Sequence, residues 1–172
     1  LMMPRAANAE LPVDTRDKIV SAALDVFTEK GFEAASTRQI AARVGMNHGL
    51  IPYYFGNKRK LWQAAVDHAF GAMQEELDAV LADPALADPR ERAARVIRAH
   101  VYVVAERPAF VRLMFEEGKR RGERMRWIVD RHVQPLYDSL AGLIEQLPGD
   151  GDAAPNVSPV HFFYVMAGAT GL

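Results

Sequence analysis

Three short groups of side chains in the first third of the chain could do chemistry on a polyanion. Ser36, Thr37 and Arg38 put two hydroxyls and a guanidinium at the expected start of one helix. Asn47, His48 and Gly49 lead the next, with two hydrogen-bonding side chains and a bare backbone. Tyr53, Tyr54 and Lys58 follow with two phenols and an ammonium. Helix N-termini, hydroxyls, phenols and cations are the groups that bind phosphate oxygens. A short helix whose first residues meet base edges is what reading a major groove requires. The chemistry is therefore non-covalent: holding phosphates and reading bases.

The charge distribution points the same way. The 172 residues carry a net charge of −1, but the first 60 hold 9 basic and 6 acidic residues and the remainder 12 and 16. From Ser36 to Lys60 there are five basic residues and no acid. A basic head on an acidic body suggests that the head meets a polyanion. A solvated basic face would carry the same charge.

Other chemistries find little support. The chain has no cysteine, so a disulfide framework, cysteine-ligated zinc and thiol catalysis are excluded, and a reducing cytoplasm is the expected setting. The five histidines are scattered without a ligand-pair spacing, so no metal and no cofactor is expected. No nucleophile elbow, phosphate-cradling glycine loop or metal pair marks an enzyme. No apolar run reaches membrane-spanning length, and "LMMPRAANAE" lacks a signal-peptide core.

The elements that must position these side chains read as helices almost throughout. In "VDTRDKIVSAALDVFTEKG", Asp14 or Thr15 is the expected cap, Ile19, Ala23 and Phe27 form an apolar face, and Gly31 ends the helix. Ser36 and Gln39 form an S-x-x-Q capping box before the stripe Ile40, Ala41, Val44, with Gly45 closing the element. Two short helices about a glycine turn make a helix-turn-helix, whose second helix starts with Asn47 as its cap. Asn57 caps a long helix to about Ala82. Asp88-Pro89 opens a helix ending near Glu106, and Pro108 opens another. A long helix to Leu147 should be kinked or interrupted at Pro135. "EEGKRRGERMR" reads as solvated charged surface. "PGDGDAAPN" reads as a loop and Ser158-Pro159 as the start of a last helix, apolar almost all round. No internal repeat and no strand alternation is present. The fold class is all-α: a flexible arm over 1–13, a three-helix DNA-binding domain over 14–60, and a larger helical domain over 61–172 whose C-terminal end is expected to be incomplete.

The run from Ile19 to Trp62 resembles the N-terminal domain of TetR-type transcriptional regulators. The matching pattern is Ala23, Phe27, Gly31 and Phe32, then Ser36-Thr37, then Ile40 to Gly45, then Tyr53 to Leu61. The resemblance implies a homodimer that binds a palindromic DNA operator, mostly as a repressor, and is released by a small-molecule effector. By position it implies phosphate contacts for Ser36, Thr37, Tyr53, Tyr54 and Lys58, with Arg38 a further candidate, and base contacts for His48 and Gly49. Asn47 is expected to share in specificity.

Pro52 departs from the family, which commonly places an aromatic, His or Ser there. With Asn47 as cap, Pro52 would be the fifth helical residue and would delete the bond back to His48, at a cost of up to about 3 kcal/mol. Gly49 would add about 1 kcal/mol relative to alanine. A short reading helix, tightened or slightly bent at Pro52, is expected to survive. The alternative is a helical protein-interaction module that has lost sequence-specific DNA binding.

The helices after residue 85 could enclose an apolar cavity with a few polar handles. Candidate ligand residues are His100, Arg112, Met114, Trp127, His132 and Tyr137, with Tyr102, Phe110 and Phe115 on the same helices; each could equally be packing. In the last helix Phe162, Met166, Gly168 and Ala169 are candidates for a dimer interface.

Overall fold

The computed structural model describes residues 13–120 and 122–147, with Ser158, Val160, His161 and Gly168 beyond them. The arm before Val13, the "PGDGDAAPN" stretch and three of the expected interface residues, Phe162, Met166 and Ala169, lie outside the described residues. Gly168 is described, and is exposed. Among the described residues every element is helical. In chain order they are α1 (Val13–Ala34), α2 (Thr37–Arg43), α3 (Leu50–Phe55), α4 (Lys58–Ala82), α5 (Pro89–Glu106), α6 (Pro108–Gly118), α7 (Glu123–Ile128), a π-helical turn (Val129–Val133) and α8 (Gln134–Glu145). None of these helices is long and apolar enough to cross a membrane.

The contacts divide the chain into two compact units that part between His68 and Ala69, inside α4. The motif-based boundary at residue 60 falls near the start of that helix.

In the first unit α1 begins at Val13, so Asp14 lies inside the first turn and does not cap it. Its carboxylate there favours the positive end of the helix dipole. Ile19, Ala23 and Phe27 are buried, as their spacing requires. Gly31 breaks α1 with φ 75° and ψ 160°, a backbone region that only glycine occupies without strain. The turn after it carries Phe32, whose ring stacks on Phe27 and meets the buried Trp62 edge-on. Ile40 and Ala41 of α2, Ile51 and Phe55 of α3, and Leu61 and Trp62 of α4 are all buried. Each large apolar side chain removed from water is worth about 1.5–3 kcal/mol, so burial holds these short helices where propensity alone would not.

In the second unit Leu77, Val80, Val96, Leu140 and Leu143 form one apolar cluster across α4, α5 and α8. Met73, Val103 and Val104 form another with Phe110 and Leu136 packed on it. Asp88 caps α5 by accepting from Arg90 N at 3.0 Å. Pro135 does interrupt the long helix, and the interruption takes a specific form. A proline cannot donate, and its ring crowds the carbonyl four residues back. The π-helical turn widens the chain just before it, and Pro135 becomes one of the first residues of α8, where no backbone donor is needed.

The charged stretch after α6 is not all surface. Glu117 is only 5 % exposed, and both its carboxylate oxygens accept from Arg124 Nε at 3.1 Å. The pair joins the end of α6 to the start of α7 across the turn, whereas Lys119 and Glu116 form the expected local surface pair.

Candidate nucleic-acid interface

Local chemistry prepares α2 as its residue types require. Ser36 Oγ accepts from Gln39 N at 3.3 Å, and Gln39 Oε1 accepts from Ser36 N at 3.1 Å. This reciprocal pair satisfies two donors that a helix start leaves open. A hydroxyl accepts and donates at once, so the capping Ser36 keeps its O–H for a further acceptor. Thr37 is half-buried beside it and Arg38 is exposed.

The turn between α2 and α3 needs Gly45, at φ 68°, and is closed by Met46 N donating to Ala41 O at 2.9 Å. The start of α3 differs from the sequence expectation. Regular helix begins at Leu50, with Gly49 as the capping residue, and not directly after Asn47. Asn47 instead caps the single turn leading in: its Oδ1 accepts from Gly49 N at 2.9 Å and its carbonyl from Leu50 N at 3.1 Å. Gly49 therefore sits where glycine is well tolerated, and the interior-helix penalty does not apply.

The same shift changes what Pro52 does to the helix. It is the third residue of α3, and the first residues of any helix have N–H groups with no partner inside it. Proline there deletes no regular helical bond. Its carbonyl still accepts from Gly56 N at 2.8 Å. The helix is six residues long and is neither broken nor extended at the proline.

Burial sorts the two sides of α3. Ile51 and Phe55, one turn apart, are buried; Asn47, His48, Gly49, Leu50, Pro52 and Tyr53 are exposed. Tyr53 is 53 % exposed and its ring meets that of the half-buried Tyr54 edge-on, with centroids 4.8 Å apart. This pairing stiffens both phenols. A Cβ added at Gly49 would meet Asn47 Oδ1 at 3.4 Å, an ordinary van der Waals contact.

Two cations of the basic run are engaged inside the unit. Arg43 pairs with Glu29 at 2.8 Å and lies 3.9 Å from Asp25. Lys58 Nζ donates to Glu33 O at 3.1 Å and lies 4.6 Å from the Phe32 ring centroid. Sequence spacing did not reveal either contact, because the partners are 14 and 25 residues away.

The ligand candidates do not converge on one place. His100 borders a cavity of about 20 Å³ between α4, α5 and α8, with Met73, Val96 and Leu136. That is room for roughly one water molecule. Arg112, Met114, Trp127, His132 and Tyr137 do not border it. His132, in the π-helical turn, stacks on Phe70 at 4.4 Å and meets Trp127 edge-on, while Phe70 meets Phe110. Arg112 is exposed. Among the described residues no group of three His, Asp or Glu side chains could hold a metal ion.

Comparison with known proteins agrees with this geometry. Residues 19–65 match the model of the bacterial regulatory proteins of the tetR family. The chain is 29 % identical over 140 residues to the transcriptional repressor NicS of Pseudomonas putida, covering 81 % of this chain and 64 % of that protein. It is 32 % identical over 138 residues to the transcriptional regulator BetI of Rhizobium meliloti, covering 78 % of this chain and 67 % of that protein. The chain thus spans about two thirds of the length of these relatives. Its fold matches that of the transcriptional regulator FadR of Bacillus subtilis, solved in complex with stearoyl-CoA. There the TM-score is 0.69 and the identity 19 %, over 90 % of this chain and 82 % of that one.

Proposed function

We propose a function from one premise: the chain belongs to the TetR family of bacterial regulatory proteins. It is a DNA-binding transcriptional regulator, a repressor that binds a palindromic operator as a homodimer and is released by a small-molecule effector. Residues 14–60 are the DNA-binding domain in this reading, and 61–172 the regulatory and dimerisation domain. The observation that carries it is the sorting of α2 and α3. Ile40, Ala41, Ile51 and Phe55 are buried, while Arg38, Asn47, His48, Gly49 and Tyr53 are exposed.

In the mechanism, Ser36, Thr37 and Arg38 hold phosphates on one side of the major groove, and Tyr53, Tyr54 and Lys58 hold them on the other. Asn47, His48 and Gly49 meet base edges, with Gly49 letting the backbone come close. Proline at position 52 presents no donor, so its stretch of the groove is read by shape and apolar contact alone. The reason to favour a protein-interaction module was a helix degraded by Pro52, and α3 is intact.

The effector belongs in the second unit. The FadR relative was solved with stearoyl-CoA, so this fold can hold a sizeable ligand. The cavity at His100 is far below the usual ligand volume of about 300–1,000 Å³, whereas an open groove of about 470 Å³ along α4 and α5, bordered by Glu75, Glu76, Tyr102 and Arg107, falls within it. α4 continues across the boundary between the two units, so it is the element through which an effector would act on the head. Ligand then favours a half-site spacing that misses successive groove turns. The last apolar segment, with Phe162, Met166, Gly168 and Ala169, supplies the subunit contact.

A gel-shift titration of the chain against duplexes from its flanking promoter tests the reading. Sequence-specific, steeply salt-dependent binding is expected. No specific binding at moderate salt in the absence of effector would sink it.

A further inference from the structure

We propose that the groove along α4 and α5 binds an organic cation with an apolar body. The proposal rests on the regulator reading above for its purpose: in that reading the cation is the effector. The groove lies wholly within the second unit. On the α4 side Ala72, Glu75, Glu76 and Ala79 border it, a spacing that places them on one face of the helix. The two alanines leave room between the helices, and the resulting volume of about 470 Å³ suits a small organic molecule. The other wall is the end of α5, with Tyr102, the buried Val103 and Glu106, and with Arg107 just beyond it.

Charge selects the ligand. The border carries three carboxylates, of Glu75, Glu76 and Glu106, against the one guanidinium of Arg107, and all four side chains are exposed. Among the described residues none of the three carboxylates is hydrogen-bonded or ion-paired. Other acids of this unit are matched: Asp78 accepts from Gln74, and Glu116 and Glu117 hold Lys119 and Arg124. The three carboxylates do not form a metal site either, since no group of three His, Asp or Glu side chains among the described residues could hold a metal ion. Acids spread along a groove suit a cation with an extended body. Tyr102, 69 % exposed, supplies an aromatic ring for a cation–π contact, and Val103 supplies apolar surface. A polyanion such as the stearoyl-CoA held by the FadR relative would meet an excess of like charge here. Glu76 and Val103 also border the small cavity at His100, so a ligand that displaces either side chain disturbs the packing of α4 on α5.

The test is isothermal calorimetry on the full chain, without DNA, using tetraphenylphosphonium and tetraphenylborate. These apolar ions share one shape and carry opposite charge. The cation should bind once per chain, and the borate should not bind. Glu75→Gln, Glu106→Gln and Tyr102→Ala should each weaken the cation roughly two- to fivefold, the size of one exposed charge or cation–π contact. Arg107→Gln removes the one like charge and should strengthen binding by a similar factor. Asp78→Asn removes a negative charge from α4 outside the groove and should leave binding unchanged. No binding of the cation, equal binding of both ions, or a loss in Asp78→Asn as large as in Glu75→Gln overturns the proposal. A groove that binds no probe, with an oligomeric state that changes in Tyr102→Ala on gel filtration, also overturns it and assigns the surface to a second copy of the chain. Because DNA is absent from the cell, a failed gel shift sinks the regulator reading by itself and leaves the groove to be decided by calorimetry.

Discussion

Arg43 holds Glu29 with both ends of its guanidinium, Nη1 to Oε2 at 2.9 Å and Nη2 to Oε1 at 2.8 Å. This joins the last residue of α2 to α1 in a planar fork that lysine cannot reproduce. The hydrogen bonds to Glu29, ahead of the charges of Glu29 and Asp25, raise the pKa of Arg43 above the usual arginine value. The pair is solvent-exposed, so its role is angle and not stability. Arg43→Ala and Arg43→Lys should leave the melting temperature almost unchanged and weaken operator binding several-fold. Because the charge is already matched by a carboxylate, the salt slope should not change. A slope reduced by about one would instead assign Arg43 to a phosphate.

Gly31 carries a backbone strain test that no side-chain contact complicates. A Cβ there meets nothing within 4 Å, yet φ is 75° and ψ 160°. Gly31→Ala should therefore cost about 1–3 kcal/mol through backbone conformation alone. Chemical denaturation would measure it, and an unchanged midpoint would mean that the chain turns differently at this residue.

Pro52→Ala separates two registers of the reading helix. At the third position of α3 the proline removes no helical bond, and its ring restricts the unfolded chain. Replacement should then be neutral or destabilising by up to about 1 kcal/mol. Were Pro52 a true interior residue, alanine would stabilise the protein by as much as about 3 kcal/mol. A rise in melting temperature of several degrees would contradict the observed start of α3 at Leu50.

Arg124 and Glu117 form a pair of which the acid is deeply buried. Arg124→Ala leaves that carboxylate without its cation and should destabilise the protein by about 3 kcal/mol. Replacing both residues by methionine should recover most of the loss, since an apolar pair of similar volume carries no desolvation cost. A loss in the double variant as large as the sum of the two single losses would show that the pair has no such coupling.

These residues differ in how far their surroundings could be read from sequence. The capping box of Ser36 and Gln39 and the cap at Asp88 were legible because both partners lie within one helical turn. The buried face of α1 was legible because helical periodicity repeats over many residues. The start of α3 was not. Asn47 has the right chemistry for a cap and does cap a turn, but regular helix waits for Leu50. That choice depends on seating Ile51 and Phe55 in the core, which no local pattern states. Glu117 looked like one more surface charge in a charged run, because its burial depends on how α6 meets α7.

By itself, then, the sequence determined the all-helical fold, the order of the elements and the family. These follow from local rules of capping, periodicity and turn chemistry, and from spaced motif residues. The tertiary structure alone decided which cations face outward and which are ties. Arg38, Arg43 and Lys58 are alike in sequence as basic residues of one head. Arg43 and Lys58 find α1 across 14 and 25 residues of chain. Only the packing angle of the helices brings such distant groups within hydrogen-bond reach. The cavity at His100 was likewise settled by how α4, α5 and α8 close on each other.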